Sequence, residues 1–338
     1  MTSRRRHERR SRSEPGPVNY GVWALAWSAD GGARTLASLD EIEAARAEPA
    51  TLLWVDLLTP ERGLLDELSD ILALHPLVAE DILERNQRAK VELTGDVLHI
   101  VMFALRYEGE IVSHEIDIVL GDRFLLTSHD ADLDLRDGSF MRRGAADRLS
   151  GGPDYVLWAL ADWVVDGYFP VFDRLGDEID ELEADVLSKP SGWIVERLFK
   201  VRRDLLLIRH AVNPQREIFN QLTNRDLKLI RPQRIVYFRD VYDHLIRLTD
   251  ELDSYRELVG TTLDIYLSQI NNNLSETMKR LTAVTVVLAG AGALAGIFGM
   301  SEAARSFGLA DAGFWLVTAA IALLSATGLV YFRRIGWI

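Results

Sequence analysis

The chain has 338 residues, with 38 Lys and Arg against 51 Asp and Glu, seven His and no Cys, for a formal net charge of −13. The lack of cysteine excludes disulfides and thiolate metal sites, and the acidic balance suits cations and argues against nucleic acid. Mean hydropathy is close to zero, which excludes a many-span transporter but conceals two strongly apolar stretches late in the chain.

Residues 1–18 hold Arg4, Arg5, Arg6, Arg9, Arg10 and Arg12 and read as a disordered basic tail. No apolar core follows it, so it is not a secretory signal, and anionic lipid is a simpler partner for it than nucleic acid. Residues 19–150 read as an α/β domain. Gly21–Trp27 and Leu52–Leu57 are short apolar runs of strand type. Thr59-Pro60-Glu61 predicts a helix start, with Thr59 as cap and Pro60 in the first turn, running to about Leu74. His75-Pro76 breaks that helix, and a second runs to about Arg85. A meander of Lys90–Leu93, Val97–Tyr107, Ile111–Leu120 and Arg123–Ser128 follows, separated by turns at Gly95-Asp96, Glu108-Gly109 and Gly121-Asp122.

Residues 151–231 read as the acidic helical part of the same domain. A helix is expected over Tyr155–Leu187, kinked at Pro170, and another over Trp193–Asn213. The acidic run Asp173, Asp177, Glu178, Asp180, Glu181, Glu183 and Asp185 reads as a solvated helix face. After Pro232 no proline interrupts the chain as far as Met300, and Gly260 is the single glycine before residue 281. Residues 232–300 are therefore expected to form one helix on the order of 100 Å long.

Its last part, 281–300, is free of charge and about the length that crosses a bilayer, and so is 313–332. Residues 301–312 join them as an outer loop, and 333–338 form a basic end. Lys279 and Arg280 precede the first span and Arg333 and Arg334 follow the second, while the loop carries Arg305 against Glu302 and Asp311. The positive residues place both termini in the cytoplasm, in a multi-pass protein of the plasma (inner) membrane.

One line along this helix carries the most information. Steps of four and three residues give Asp264, Ser268, Asn271, Ser275, Met278, Thr282, Thr285, Ala289, Gly292, Gly296 and Gly299. Met278 is the one large residue on it. The neighbouring row, Leu263, Leu267, Ile270, Leu274, Thr277, Leu281, Val284 and Leu288, is mostly greasy, the reverse of a soluble coiled coil. Polar groups at membrane depth face protein or water rather than lipid, so several copies turning this line to one axis would form a pore. Packing through Gly292 and Gly296 alone explains the small residues, but not Asp264, Asn271 and Thr282 on the same line.

Other chemistry is thin. The histidines are scattered without the His–His spacing of a helical zinc site. No Gly-x4-Gly-Lys-Ser/Thr loop is present, so ATP is not expected as an energy source. The glycines at 290–296 lie in an apolar span, not behind a strand. No nucleophile–base pattern stands out, and no enzyme activity is expected.

Three blocks together carry a family resemblance. They are His75-Pro76-Leu77-Val78-Ala79-Glu80-Asp81-Ile82-Leu83 with Gln87-Arg88-Ala89-Lys90-Val91-Glu92, then Tyr237-Phe238-Arg239-Asp240-Val241-Tyr242-Asp243-His244, then Leu263–Ser268 through Met278–Thr282 to Ala295–Met300. The chain resembles the CorA-type divalent cation channels of the magnesium/cobalt superfamily. The resemblance implies a homopentamer in a lipid bilayer: an α/β cytoplasmic domain, a long stalk helix that becomes the first, pore-lining span, and a second span outside it.

It further implies selectivity at Gly299, Met300 and Ser301, and a throat past Gly292 to a constriction at Thr282, Leu281 and Met278. Below these come Ser275, Asn271 and Asp264, and a regulatory metal site between subunits at Asp81 and Asp240. The family has Gly-Met-Asn where this chain has Gly299-Met300-Ser301, and Asn where it has Ser275. The resemblance implies hydrated Mg2+ as the ion, and because a hydroxyl is shorter than an amide and a weaker acceptor, Co2+, Ni2+ or Zn2+ are left open. A zinc or broad-range transporter, proton-coupled, and a non-conducting membrane metal sensor are the alternatives.

Overall fold

A computed structural model describes residues 21–85, 87–130, 133, 135, 144–188, 191–300 and 310–337, with side chains for all of these except 298–300 and 310–314. The basic tail 1–18, Ser301 and most of the expected outer loop lie outside the described residues.

Strands β1 (Val22–Ser28), β2 (Gly32–Leu36), β3 (Leu52–Leu58), β4 (Lys90–Thr94), β5 (Val97–Tyr107), β6 (Ile111–Gly121) and β7 (Phe124–His129) form one sheet in the order β2-β1-β3-β7-β6-β5-β4. The central pair β3–β7 is parallel, and the other neighbouring pairs are antiparallel. β3 and β7 are buried at nearly every position, as central strands covered on both faces are. On one face Leu53, Val55, Leu57, Val119, Phe124 and Leu126 pack against α1 (Leu39–Ala47), α2 (Arg62–Leu72) and α3 (Pro76–Glu84). The alternate residues, among them Trp54, Ile100, Ile118 and Leu125, point the other way and are also buried. After α4 (Ala145–Ser150), α5 (Pro153–Asp166) covers that second face through Val156, Leu157, Leu160 and Val164.

The meander and α3 lie within a residue or two of their expected bounds. β2 and α1 were not expected. β2 is exposed at four of its five positions, so it has no apolar alternation to read. The start of α1 does carry a sequence signal: Ser38 Oγ accepts from the N–H of Glu41, and the Glu41 carboxylate accepts from that of Ala37.

Thr59 is not a helix cap. It has φ 48°, and its N–H donates to the carbonyl of His129, which pins it to the end of β7. The helix therefore begins at Arg62 and ends at Leu72. The expected kink at Pro170 is instead a break at Gly167-Tyr168, before α6 (Phe169–Ser188). Pro170 sits in the first turn of α6, where a missing N–H costs little.

Helix α7 (Gly192–Asn224) runs straight through Pro214, beyond its expected end at Asn213. Proline removes a donor and crowds the preceding turn. The helix is held there by the buried Gln215, whose Nε2 donates to the Ala211 carbonyl at 3.0 Å and to the Phe103 carbonyl at 3.2 Å, tying it to β5.

A 3-10 turn at Pro232–Arg234 leads into α8 (Ile235–Met300), 66 residues without interruption. Helix α9 (Ala310–Arg334) ends on Gly336 at φ 75°, where the N–H of Trp337 reaches the carbonyl of Phe332 and that of Gly336 the carbonyl of Arg333.

By its contacts the chain divides into two units: one up to Asp180 plus Phe199–Val259, the other Glu181–Leu198 plus Gly260–Ile338. The second unit contains both long apolar stretches, within Pro232–Ile297 and Trp315–Arg334.

Candidate pore line and metal cluster

The line on α8 is open along its described length. Asp264, Ser268, Asn271, Ser275, Met278, Thr282, Thr285, Ala289, Gly292 and Gly296 are all exposed in the single chain. Leu281, placed beside the line at the constriction, is 58% exposed and Met278 53%. Thr282 Oγ1 donates to the Met278 carbonyl at 2.8 Å. The second span uses a different row. Val286, Val287, Gly290, Ala291 and Leu294 of α8 line a groove with Leu324, Ser325, Gly328 and Phe332 of α9. At its tightest, a Cβ on Gly328 would lie 3.3 Å from Val287 Cγ2. A Cβ on Gly292 or Gly296 would meet nothing within 4 Å. The small residues of the line are therefore not consumed in packing the two spans of one chain. Gly299 and Met300 continue α8, and Ser301 falls outside the described residues.

The first unit brings together a carboxylate–imidazole cluster. Ligand atoms of Asp162 on α5 and of Asp240 and His244 on α8 lie within 4.8 Å of one another. Burial raises the Asp162 carboxyl above its ordinary range, and the charges of Asp166 and Asp240 push it further the same way, with only His244 opposing. His244 Nδ1 is buried without a hydrogen-bond partner, 3.8 Å from Asp166 Oδ1. A divalent cation would relieve the carboxylate repulsion and give that nitrogen a partner, so these residues fit one.

Asp240 was expected here, and Asp162 and His244 were not. Asp240 and His244 have the i,i+4 spacing that puts two ligands on one helix face, a signal missed by looking for paired histidines. Asp162 comes from a helix far away in sequence, and only the fold shows it.

Asp81 is not part of that group. It lies on α3 and is held by the adjoining edge of the sheet. Lys90 Nζ donates to Asp81 Oδ2 at 2.7 Å and lies 3.2 Å from Glu92 Oε2. Burial alone pulls the Lys90 ammonium down, but the bonds to Asp81 and Glu92 outweigh it and raise it above the ordinary lysine value. Register places Lys90 and Glu92 on the same face as His99 and Asp117. His99 is fully buried, shares a 2.9 Å hydrogen bond with Asp117 Oδ1 through Nε2, and points Nδ1 at Asp81 Oδ2, 3.9 Å away. Beside them Glu115 is pushed up to about 7 by burial and by Asp117, against the pull of the Gln87 N–H, Arg85 and His99.

Residues 49–334 match the family described as CorA-like Mg2+ transporter protein. The chain is 31% identical over 299 residues to the cobalt/magnesium transport protein CorA of Thermotoga maritima, covering 86% of this chain and 85% of that one. It is 26% identical over 304 residues to the protein of the same name from Methanocaldococcus jannaschii, covering 89% and 95%. The complete structure of the CorA magnesium transporter from that organism superposes with a TM-score of 0.77 over 93% of this chain and 98% of that chain, at 23% identity, and shows the same fold.

Proposed function

The chain belongs to the family of CorA-like Mg2+ transporters, membrane transporters of divalent metal ions rather than enzymes, and from that premise we propose that it conducts hydrated Mg2+ into the cytoplasm through a homopentameric pore lined by α8. The observation that carries this reading is the open line on α8, polar or small from Asp264 to Gly296 except at Met278, while the second span packs on another row. A lipid-facing or packing role would have used that line or made it greasy.

In this reading the ion enters past Ser301, Met300 and Gly299, with Ser301 standing where the family has an amide. It passes the small-residue throat at Gly292, then Thr282, Leu281 and Met278, and leaves by Ser275, Asn271 and a ring of Asp264 carboxylates that attracts cations without selecting among them. Both termini lie in the cytoplasm. A divalent ion gains about 4.6 kcal/mol per 100 mV, twice the single-charge value. That supports roughly thousandfold accumulation with no second energy source.

The cytoplasmic metal acts as the closing signal. Asp81 and Asp240 form the regulatory site between neighbouring subunits, and Asp162 and His244 extend it. Bound metal neutralises the carboxylates and locks the subunits together. Its loss restores their repulsion and opens the ring. The imidazole of His244 admits Co2+, Ni2+ and Zn2+ as closing ions as well as Mg2+.

The absence of native cysteine makes the test direct. Single Asn271→Cys, Ser275→Cys and Thr282→Cys substitutions are expected to react with a charged thiol reagent and lose flux, while Leu274→Cys and Leu288→Cys are not. Equal reactivity on both rows would overturn the pore assignment.

A further inference from the structure

We propose that Lys90 is a tethered competitor for the regulatory cation: its ammonium occupies the position on Asp81 that a divalent ion must take, and so sets the metal concentration at which the protein closes. The inference rests on the reading of Asp81 as part of the closing site, and deepens it.

The geometry is that of a two-position latch. Asp81 and Lys90 are only 22% and 23% exposed, so their ion pair is shielded rather than freely solvated. Lys90 Nζ sits between two acceptors, Asp81 Oδ2 at 2.7 Å and Glu92 Oε2 at 3.2 Å. Glu92 is 54% exposed and stands two residues along the same strand. An ion arriving at Asp81 displaces Lys90 onto Glu92, and the ammonium returns when the ion leaves. The four-carbon stem lets it swing between the two acceptors. The buried Nδ1 of His99, with no hydrogen-bond partner and 3.9 Å from the same Asp81 Oδ2 that Lys90 holds, gives the arriving ion a neutral donor beside that oxygen.

The sign of the effect separates this role from a structural one. A lysine that merely braces α3 against β4 would, when removed, loosen the site and weaken metal binding. A competitor, when removed, strengthens it. Full-length protein in detergent is titrated with Mg2+ and, separately, Co2+, and the midpoint of metal protection against proteolysis is read.

Lys90→Met is expected to lower the midpoint about threefold to tenfold, as loss of a part-shielded ion pair allows. Lys90→Arg should stay near the wild-type value. Arg88→Gln, the same change of charge at an exposed position two residues away, should shift it less than about twofold. In an Asp81→Asn background, Lys90→Met should have no further effect. An unchanged or raised midpoint for Lys90→Met, or an equal shift for Arg88→Gln, overturns the latch. If Asp81→Asn alone leaves the midpoint unchanged, the reading of Asp81 as a closing residue fails, and the latch falls with it. A raised midpoint for Asp81→Asn with none of the Lys90 effects sinks the latch alone.

Discussion

The two units of the chain treat apolar side chains in opposite ways. In the first, Leu53, Leu126 and Ile118 of the sheet and Leu65 and Leu68 of α2 are sealed between the sheet and the helices that cover it. In the second, Leu274, Leu281, Leu288, Leu316 and Leu323 are each more than half exposed, and the polar line of α8 is exposed beside them. A single chain can complete the first kind of surface alone. In the proposed reading the second is completed by lipid on the greasy rows and by other copies on the polar one. Burial within one chain therefore reports on stability in the first unit and on assembly in the second.

The largest expected effect breaks the second unit's function without touching the first. Gly292→Leu should reduce metal influx at least about tenfold in vesicles, because five leucines would fill the throat. Leu288→Ala, off the small and polar line, should leave influx within about twofold. Comparable losses would mean that the line does not face the ion.

Stability should sort the other way. Leu126→Ala should cost about 2–5 kcal/mol in the unfolding of the full-length protein, from lost burial and the cavity left behind. Leu288→Ala should cost well under 1 kcal/mol, because lipid tails are as apolar as leucine.

The metal cluster sharpens the comparison within the first unit. Asp240→Ala should leave transport active but no longer suppressed by internal Mg2+. His244→Ala should keep suppression by Mg2+ while losing any extra potency of Co2+, because imidazole suits the transition metal and Mg2+ prefers oxygen. Dose–response curves of influx against internal metal read both.

The smallest effect is a pH slope. Glu115 is raised from 4.5 to about 7 in the folded chain, so between those values the folded state holds more protons than the unfolded one. Stability falls as pH rises through that window and is lowest above it. Glu115→Gln should flatten the dependence of melting temperature on pH between about 4.5 and 7, and an unchanged slope would remove Glu115 from the account.

What the sequence made legible follows from how local each signal is. The meander and α3 were readable because apolar runs, Gly turns and His75-Pro76 are local marks. The uninterrupted α8 was readable because nothing in it breaks a helix. β2 had no alternation to read. Pro214 gave a false stop because what holds the helix there, Gln215 on the carbonyl of Phe103, belongs to a strand more than 100 residues away. The exposed small and polar line of α8 was visible as a seven-residue repeat. Of the carboxylate–imidazole cluster only Asp240 was singled out; the i,i+4 spacing of Asp240 and His244 was there to be read, and Asp162 was not. The pairing of Asp81 with Lys90 joins a helix to the next strand, and periodicity within one element cannot reveal it.

The central claim is a self-regulated divalent pore, and Mg2+ influx into proteoliposomes under an inside-negative potential, with and without Mg2+ inside, tests it most directly. The account predicts influx driven by the potential alone and suppressed by internal Mg2+. No Mg2+ influx under any internal condition, or influx that requires a proton gradient, would contradict it.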